Sequence, residues 1–188
     1  MIVILGLGGV FAVLVVAVAV SYNRFVRQRQ LIDNAWANVD TELRRRYDLI
    51  PNLVETVRGY AHHERAALEA LTQARSQAAG SNGSPVTQAA DENVLISALR
   101  GLLAVAEAYP DLEANEGFLD LQRQLVATED RIQAARRFYN NNVRDYNTRV
   151  QSVPANLVAR AFGFNEREYF EIDDALTTAS APTASFEH

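Results

Sequence analysis

Three adjacent residues, His62, His63 and Glu64, come closer to a metal site than any other group in this sequence. A helix that binds one metal ion needs ligands three or four residues apart, or ligands on facing helices. This stretch belongs to the helix predicted below, so His62 and His63 point about 100° apart and cannot aim at one ion. The third histidine, His188, is the last residue of the chain. We therefore expect no metal and no cofactor, and we interpret the pair as surface histidines near a helix seam.

The densest basic run is Arg44, Arg45 and Arg46. Its interpretations are a solvated helix face with one arginine paired inside the helix seam, a subunit interface with acidic residues, and a nucleic-acid contact. The net charge is −5, and one basic triplet on an acidic chain is a weak footprint for nucleic acid. We favour the solvated face and expect no nucleic-acid partner.

Asp48, Pro51 and Asn52 interrupt an otherwise apolar helical pattern. Proline inside a helix removes one backbone hydrogen bond and clashes with the preceding turn. We interpret the three residues as shaping a kink and satisfying the loosened backbone. The alternative is that Asp48 caps a new helix whose first turn contains Pro51.

A second polar group lies further along the chain, and it could bind a polar ligand or form a network that fixes the register between helices. Asn142 and Thr128 fall in the apolar stripe of their helix, where a buried polar group needs a partner, and this favours the network. The sequence shows no nucleophile–base pair, phosphate loop or carboxylate cluster and has no cysteine, so we predict no enzyme and identify no small-molecule substrate. The polar group consists of Arg136, Arg137, Tyr139, Asn140, Asn141 and Asn142.

The element that must position these residues begins with an uncharged, proline-free apolar run over residues 2–20. As a helix the run is about 28 Å long, close to the thickness of a bilayer's hydrocarbon core. We predict that residues 1–21 form a retained transmembrane anchor. A cleaved secretory signal is an alternative, although no basic residue precedes the run as in most signals, and a buried core helix is another.

The flanks of this run predict its orientation. Arg24, Arg27 and Arg29 follow it closely, so the positive-inside rule places the body of the chain in the cytoplasm and the N-terminus outside. Gly8 and Ala12 form a small-residue pair that would let two anchor helices approach closely. Ordinary apolar filler is the alternative for that pair.

A seven-residue apolar repeat starts at Tyr22 and includes Trp36, which we expect to be buried. The repeat keeps its phase past Pro51 and predicts one helix from the anchor to about Ala79. Two later long helices are predicted from about Pro85 to Tyr109 and from about Phe118 to Val150, and Pro154 to Phe162 forms a brief helix capped by Gly163.

These elements define an all-α protein. We predict a single transmembrane helix followed by an antiparallel, up-down bundle of long helices over residues 22–172. Residues 173–188 are small and polar, and we expect them to be disordered.

Four stretches together resemble the LemA family, and the resemblance covers nearly the whole chain from the anchor to Glu171. They are AWANVDTELRRRYDLIPNLVETVRGYAHHE from Ala35, YPDLEANEGFLDLQRQL from Tyr109, RRFYNNNVRDYN from Arg136 and VPANLVARAFGF from Val153. The resemblance implies a bacterial inner-membrane protein with a short outer N-terminus and a cytoplasmic antiparallel helical bundle. It implies no reaction, and a family member in magnetosome-forming bacteria is linked to making membrane compartments.

Two functions fit this sequence. In the first, the protein contacts the lipid bilayer, self-associates as a homo-oligomer and organises or shapes the inner membrane. In the second, it is a membrane-tethered adaptor that presents a helical surface to another membrane protein, such as a protease.

Overall fold

The structure is a computed structural model that describes residues 2–81 and 83–172. These residues form six helices, which confirms the all-α class and the predicted helical bundle behind an apolar N-terminal helix. The predicted tail at residues 173–188 lies outside the described residues. The helices are α1 (Ile2–Tyr60), α2 (Arg65–Gly80), α3 (Pro85–Ala106), α4 (Pro110–Glu113), α5 (Glu116–Gln151) and α6 (Ala155–Phe162).

The chain forms two compact units, and α1 and α5 each contribute to both. Among the described residues, the anchor unit contains residues 2–37 together with Arg137–Tyr169. The bundle unit contains Asn38–Arg136 and residues 170–172.

The bundle unit is an up-down arrangement of four long helical segments. α2 runs antiparallel to α1, since the turn at residues 61–64 joins them and Arg75 reaches back to the Tyr47 carbonyl oxygen at 2.7 Å. α3 reverses again after α2, and Gln77 donates to Asp91 across that turn at 2.7 Å. α5 starts beside the end of α1, where the Asn115 amide donates to the Tyr60 hydroxyl at 3.0 Å.

The prediction of one helix from the anchor to about Ala79 is wrong, because α1 ends at Tyr60 and the chain turns back. The seam residues beyond the turn, such as Leu71 and Ala78, are nevertheless buried. The repeat keeps its phase because the four-residue turn returns the same face to the core. Apolar spacing reports which side chains are buried and carries no information about the direction of the chain. Gly59, a weak helix former, lies one residue before the end of α1.

The anchor unit is held together by aromatic rings between α1 and the chain after α5. Phe25 lies stacked on Phe164 with ring centroids 4.8 Å apart, and it meets Tyr146 edge-on at 5.9 Å. Gly163 ends α6 in the left-handed conformation with φ 70°, as the sequence predicts, so that the chain reverses toward Phe164.

The segment after Gly163 is fixed in the anchor unit by backbone hydrogen bonds to α5. The Asn147 side chain donates to the Arg167 carbonyl oxygen at 2.9 Å and accepts from the Arg167 N–H at 2.8 Å. The Tyr139 hydroxyl donates to the Glu168 carbonyl oxygen at 2.9 Å. These three bonds satisfy backbone groups of a segment that has no helix or sheet of its own.

Candidate functional site

Residues 11–20 of α1 present their apolar side chains outward. Phe11 is 69% exposed, Val15 is 51% exposed and Val20 is 53% exposed. A core helix would bury such residues, so the alternative that the apolar run is a buried core helix does not fit. Within the described residues α1 is one helix long and apolar enough to cross a membrane. The helix continues without a break from this run into the packed residues of the anchor unit.

The small-residue pair predicted for helix–helix contact lies on this outward surface. Gly8 and Ala12 are both exposed, and no atom lies within 4 Å of a Cβ built on Gly8. The single chain therefore leaves this face of the anchor open.

The structure separates the three arginines of the basic run. Arg44 is exposed and pairs with Asp40 of its own helix at 2.8 Å. Arg45 pairs with Glu42 of the same helix at 3.2 Å. Arg46 points into the bundle unit and is completely buried.

Arg46 lies at the centre of a buried ion network. One guanidinium nitrogen, Nη1, donates to Glu129 Oε2 on α5 at 3.0 Å, and the other, Nη2, donates to Glu92 on α3. Both carboxylates are at most 1% exposed. A fully buried charge is tolerated when it is paired and hydrogen-bonded, and this guanidinium meets two carboxylates. The network ties α1, α3 and α5 together.

Two uncharged side chains complete the network around Glu92. Gln88 donates to Glu92 Oε1 at 2.9 Å, and the Tyr47 hydroxyl donates to the same carboxylate. Gln88 also donates to the Ala78 carbonyl oxygen at 3.2 Å, which adds α2 to the connection. Burial, and then the negative charge of Glu92, raises the pKa of Tyr47, so its phenol stays protonated and remains a donor. Because the charged groups are enclosed and bonded to one another, the arrangement positions helices.

The structure accounts for the proline in α1. Since Pro51 has no N–H, the carbonyl oxygen of Tyr47, four residues earlier, loses its usual helical donor. The Arg75 Nε–H of α2 donates to that oxygen at 2.7 Å. α1 continues to Tyr60, so the alternative in which Asp48 starts a new helix is wrong. Asn52 is exposed, and its carbonyl oxygen accepts a hydrogen bond from the Thr56 hydroxyl at 2.8 Å.

The remaining candidates are Trp36 on α1 and Asn142 and Thr128 on α5. Trp36 is only partly buried, and its ring lies 5.2 Å from that of Tyr139 between centroids. Asn142 and Thr128 each donate to the carbonyl oxygen four residues earlier in α5, at 2.8 Å. Asn147, five residues after Asn142, makes the bonds to the returning segment instead. The sequence did not distinguish Asn147 from the three asparagines that precede it in the same helix.

His62 and His63 lie in the turn between α1 and α2, where both are exposed. Their rings lie 3.9 Å apart between centroids. The prediction that a helix holds His62 and His63 100° apart is wrong, since residues 61–64 are not helical. In residues 2–81 and 83–172 no group of three histidine or acidic side chains is arranged to hold a metal ion.

Sequence reasoning also missed Glu92 and Glu129, the partners of Arg46. Both carried a usable signal. Glu92 lies three residues before Leu95 on the apolar face of α3, and Glu129 lies between Leu125 and Ile132 at helical spacing in α5. An acidic residue at a core position needs a basic partner at another core position, and Arg46 occupies one in the repeat of α1.

An all-α chain whose exposed apolar helix continues into a packed helical bundle belongs to the class of membrane-associated helical-bundle proteins. Within this class the chain belongs to the LemA family, because the model of that family matches residues 35–186.

Named relatives agree with this assignment. The chain is 26% identical over 202 aligned positions to Magnetosome protein MamQ 2 of Paramagnetospirillum magneticum, a match that covers 89% of this chain and 74% of the relative. It is 27% identical over 139 positions to Protein LemA of Metamycoplasma hominis, covering 73% of this chain and 63% of that protein. It is 24% identical over 174 positions to Magnetosome protein MamQ of Magnetospirillum gryphiswaldense, covering 79% and 64%.

Proposed function

We propose that this chain is a single-pass inner-membrane protein that self-associates and organises or shapes the membrane without catalysing a reaction. The observation that carries the proposal is the outward-facing apolar surface of α1, which continues as one helix into the anchor unit. Relatives named as magnetosome proteins support a role at a membrane structure. The buried carboxylates at Glu92 and Glu129 are bonded to Arg46, which supports a structural use of these charges.

The proposed topology places the N-terminus outside the cell membrane and the helical body in the cytoplasm. Arg24, Arg27 and Arg29 follow the apolar run closely, and cytoplasmic flanks carry the excess of basic residues. The chain has no cysteine, so Ser76→Cys on the exposed surface of α2 creates a unique thiol. A membrane-impermeant maleimide should label this thiol only after spheroplasts are lysed. Labelling of intact spheroplasts would show that the body lies outside.

The proposed self-association uses the open face of the anchor at Gly8 and Ala12. Small residues let helix backbones approach closely in lipid, and a larger side chain prevents that approach. Ala12→Ile should therefore reduce oligomer formation by full-length protein in detergent or nanodiscs. Ala17→Ile is the matched control, because Ala17 lies about 140° around the helix from Ala12. A protein that is monomeric at every concentration would contradict self-association.

A second candidate is an adaptor for another membrane protein, such as a protease. The observation that favours it is an exposed apolar pair on α5, where Leu119 is 40% exposed and Val126 is 51% exposed. The two residues lie seven apart and so share one face of the helix. Stable co-purification of a partner with monomeric or dimeric chain, abolished by Leu119→Asp with Val126→Asp, would favour the adaptor. Large homo-oligomers without a partner would favour the first proposal.

A further inference from the structure

In the anchor unit, the end of α5 lies at the same position along the helix axis as the point where α1 begins to pack against other residues. α5 runs antiparallel to α1 there, since Tyr139 faces Trp36 and Tyr146 faces Phe25. Gln151 lies five residues beyond Tyr146, about 7.5 Å along the helix axis. Five residues back from Phe25 along α1 is Val20, the last residue of the apolar run.

α6 is held at this same level by an aromatic contact. Phe162 meets Tyr22 edge-on, with ring centroids 5.0 Å apart. Tyr22 follows the apolar run by two residues, about 3 Å along the helix axis. Val158 and Ala159 are buried and fix α6 to the anchor unit. If residues 2–20 cross a bilayer, α6 and the turn before it therefore lie at the surface of that bilayer.

This region exposes several apolar side chains, with Ser152 and Arg160 exposed among them. Val153 in the turn is 80% exposed, Leu157 is 64% exposed and Phe162 is 52% exposed. Ala161, four residues after Leu157, is also exposed, so the outward surface of α6 is apolar at both positions. Such a cluster would be unfavourable in water, and Phe162 at the end of α6 contacts Tyr22, two residues after the apolar run of α1.

Arginines flank the apolar cluster. Arg24, Arg27 and Arg160 are exposed in the same unit. Desolvation, and then the neighbouring charge of Arg24, lowers the pKa of Arg149, so two guanidinium groups lie close together at this end of the unit. Glu166 also lies here and accepts a hydrogen bond from Gln151 at 2.9 Å. Apolar side chains surrounded by arginines are typical of helices that lie in the headgroup region of an anionic membrane.

We propose that α6 and the turn at residues 152–154 form a second membrane contact, which inserts Val153, Leu157 and Ala161 into the headgroup region of the bilayer that α1 crosses. The occupant of this apolar surface is lipid, because the surface adjoins the anchor's own lipid-facing side and lies at the level where the anchor leaves the bilayer. The contact rests on the anchor crossing a membrane and is independent of which side the body occupies. It would hold the anchor unit against the surface at two points and so restrict its tilt.

The test uses full-length protein in vesicles of phosphatidylcholine and phosphatidylglycerol. Ala161→Cys provides a unique site for an environment-sensitive fluorophore and keeps Val153 and Leu157 in place. Asn34→Cys is the control, because Asn34 is exposed in the same unit and lies about 21 Å along α1 from Val20. Lipids that carry a nitroxide near the headgroup should quench the label at position 161 roughly threefold or more above the label at position 34, as expected for interfacial insertion.

A variant in the same background tests which side chains insert. Val153→Asp with Leu157→Asp changes two exposed residues, so the far-UV circular dichroism should be unchanged while quenching at position 161 falls clearly below that of the parent protein. Equal quenching at positions 161 and 34 in the parent protein would overturn the proposal. A second result would also overturn the proposal. The label at position 161 would be shielded from water, would not be quenched by nitroxide lipid, and would become exposed on dilution in lipid. That result would show that a second copy of the chain covers the surface. Labelling of Ser76→Cys in intact spheroplasts would contradict the proposed topology without affecting this result.

Discussion

Substituting methionine for Arg46 removes the single cation from the buried ion network. The change leaves Glu92 and Glu129, which are at most 1% exposed, without the guanidinium that neutralises them. Removing one partner of a buried charge pair typically costs about 3–5 kcal/mol, because the remaining charge stays buried without compensation. Here two carboxylates remain, so we expect a loss at the upper end, about 5 kcal/mol of unfolding free energy.

The assay is thermal unfolding of the full-length protein in detergent, followed by far-UV circular dichroism. A loss of about 5 kcal/mol in a chain of this size lowers the melting temperature by roughly 10–20 °C. Arg44→Met is the matched control, since Arg44 makes an exposed pair with Asp40 in the same turn of the same helix. Both side chains of that pair are exposed and screened by solvent, so its loss should leave the melting temperature nearly unchanged.

A triple variant separates buried charge from lost packing. Arg46→Met combined with Glu92→Gln and Glu129→Gln removes every charge of the network and keeps similar side-chain volumes. Its stability should recover most of the loss, because uncompensated carboxylates cause the destabilisation. If Arg46→Met and Arg44→Met lower the melting temperature equally, or if the triple variant is less stable than Arg46→Met alone, the reasoning about the network is refuted.

Three further predictions follow from particular contacts. Arg75→Met should lower the free energy of unfolding by about 1–3 kcal/mol, because it leaves the Tyr47 carbonyl oxygen without a donor. In a Pro51→Ala background this loss should shrink, because the new N–H can donate to that oxygen. Equal losses in both backgrounds would contradict the role given to Arg75. Trp36→Ala should lower the free energy of unfolding by about 1.5–3 kcal/mol, less than for a fully buried tryptophan, because part of the side chain is exposed. A loss above about 4 kcal/mol in a denaturant titration would contradict the observed exposure. Burial raises the pKa of Tyr139 to about 12, so the stability that its neutral phenol contributes is complete below pH 10 and is lost between pH 10 and 12. Tyr139→Phe should therefore flatten the fall in melting temperature at alkaline pH. An unchanged fall would contradict the raised pKa.

The elements of the fold could largely be predicted from the sequence. The pattern predicted a second helix from Pro85 and a third that ends near Val150, and the structure gives α3 from Pro85 and α5 to Gln151. These boundaries are predictable because they depend on local signals: a serine followed by proline at a helix start, and the end of an apolar stripe.

The turn at residues 61–64 could not be predicted in the same way. The apolar spacing continues through it, because the buried positions on both sides of the turn face one core. The chain reverses as a consequence of how α2 packs on α1 and α3, and this is a tertiary effect with only a weak local signal at Gly59.

The sequence indicated that one arginine of the run at 44–46 could pair inside a helix seam, but it did not identify the acidic partners. Glu92 and Glu129 lie 46 and 83 residues away in the chain. A repeat within one helix gives no register between helices, so the partners follow only once the order and direction of the helices are known. The same reason explains why the Arg75 contact that compensates for Pro51 was not predicted.

The central claim is that residues 1–21 remain on the protein and hold it in a bilayer. The most direct measurement combines fractionation of cells that express the chain with the intact mass of the purified product. The account predicts that the protein stays with membranes through an alkaline wash and has the mass of the whole 188-residue chain, 20.8 kDa. A shortened chain that lacks the apolar run and is recovered from the periplasm would contradict it.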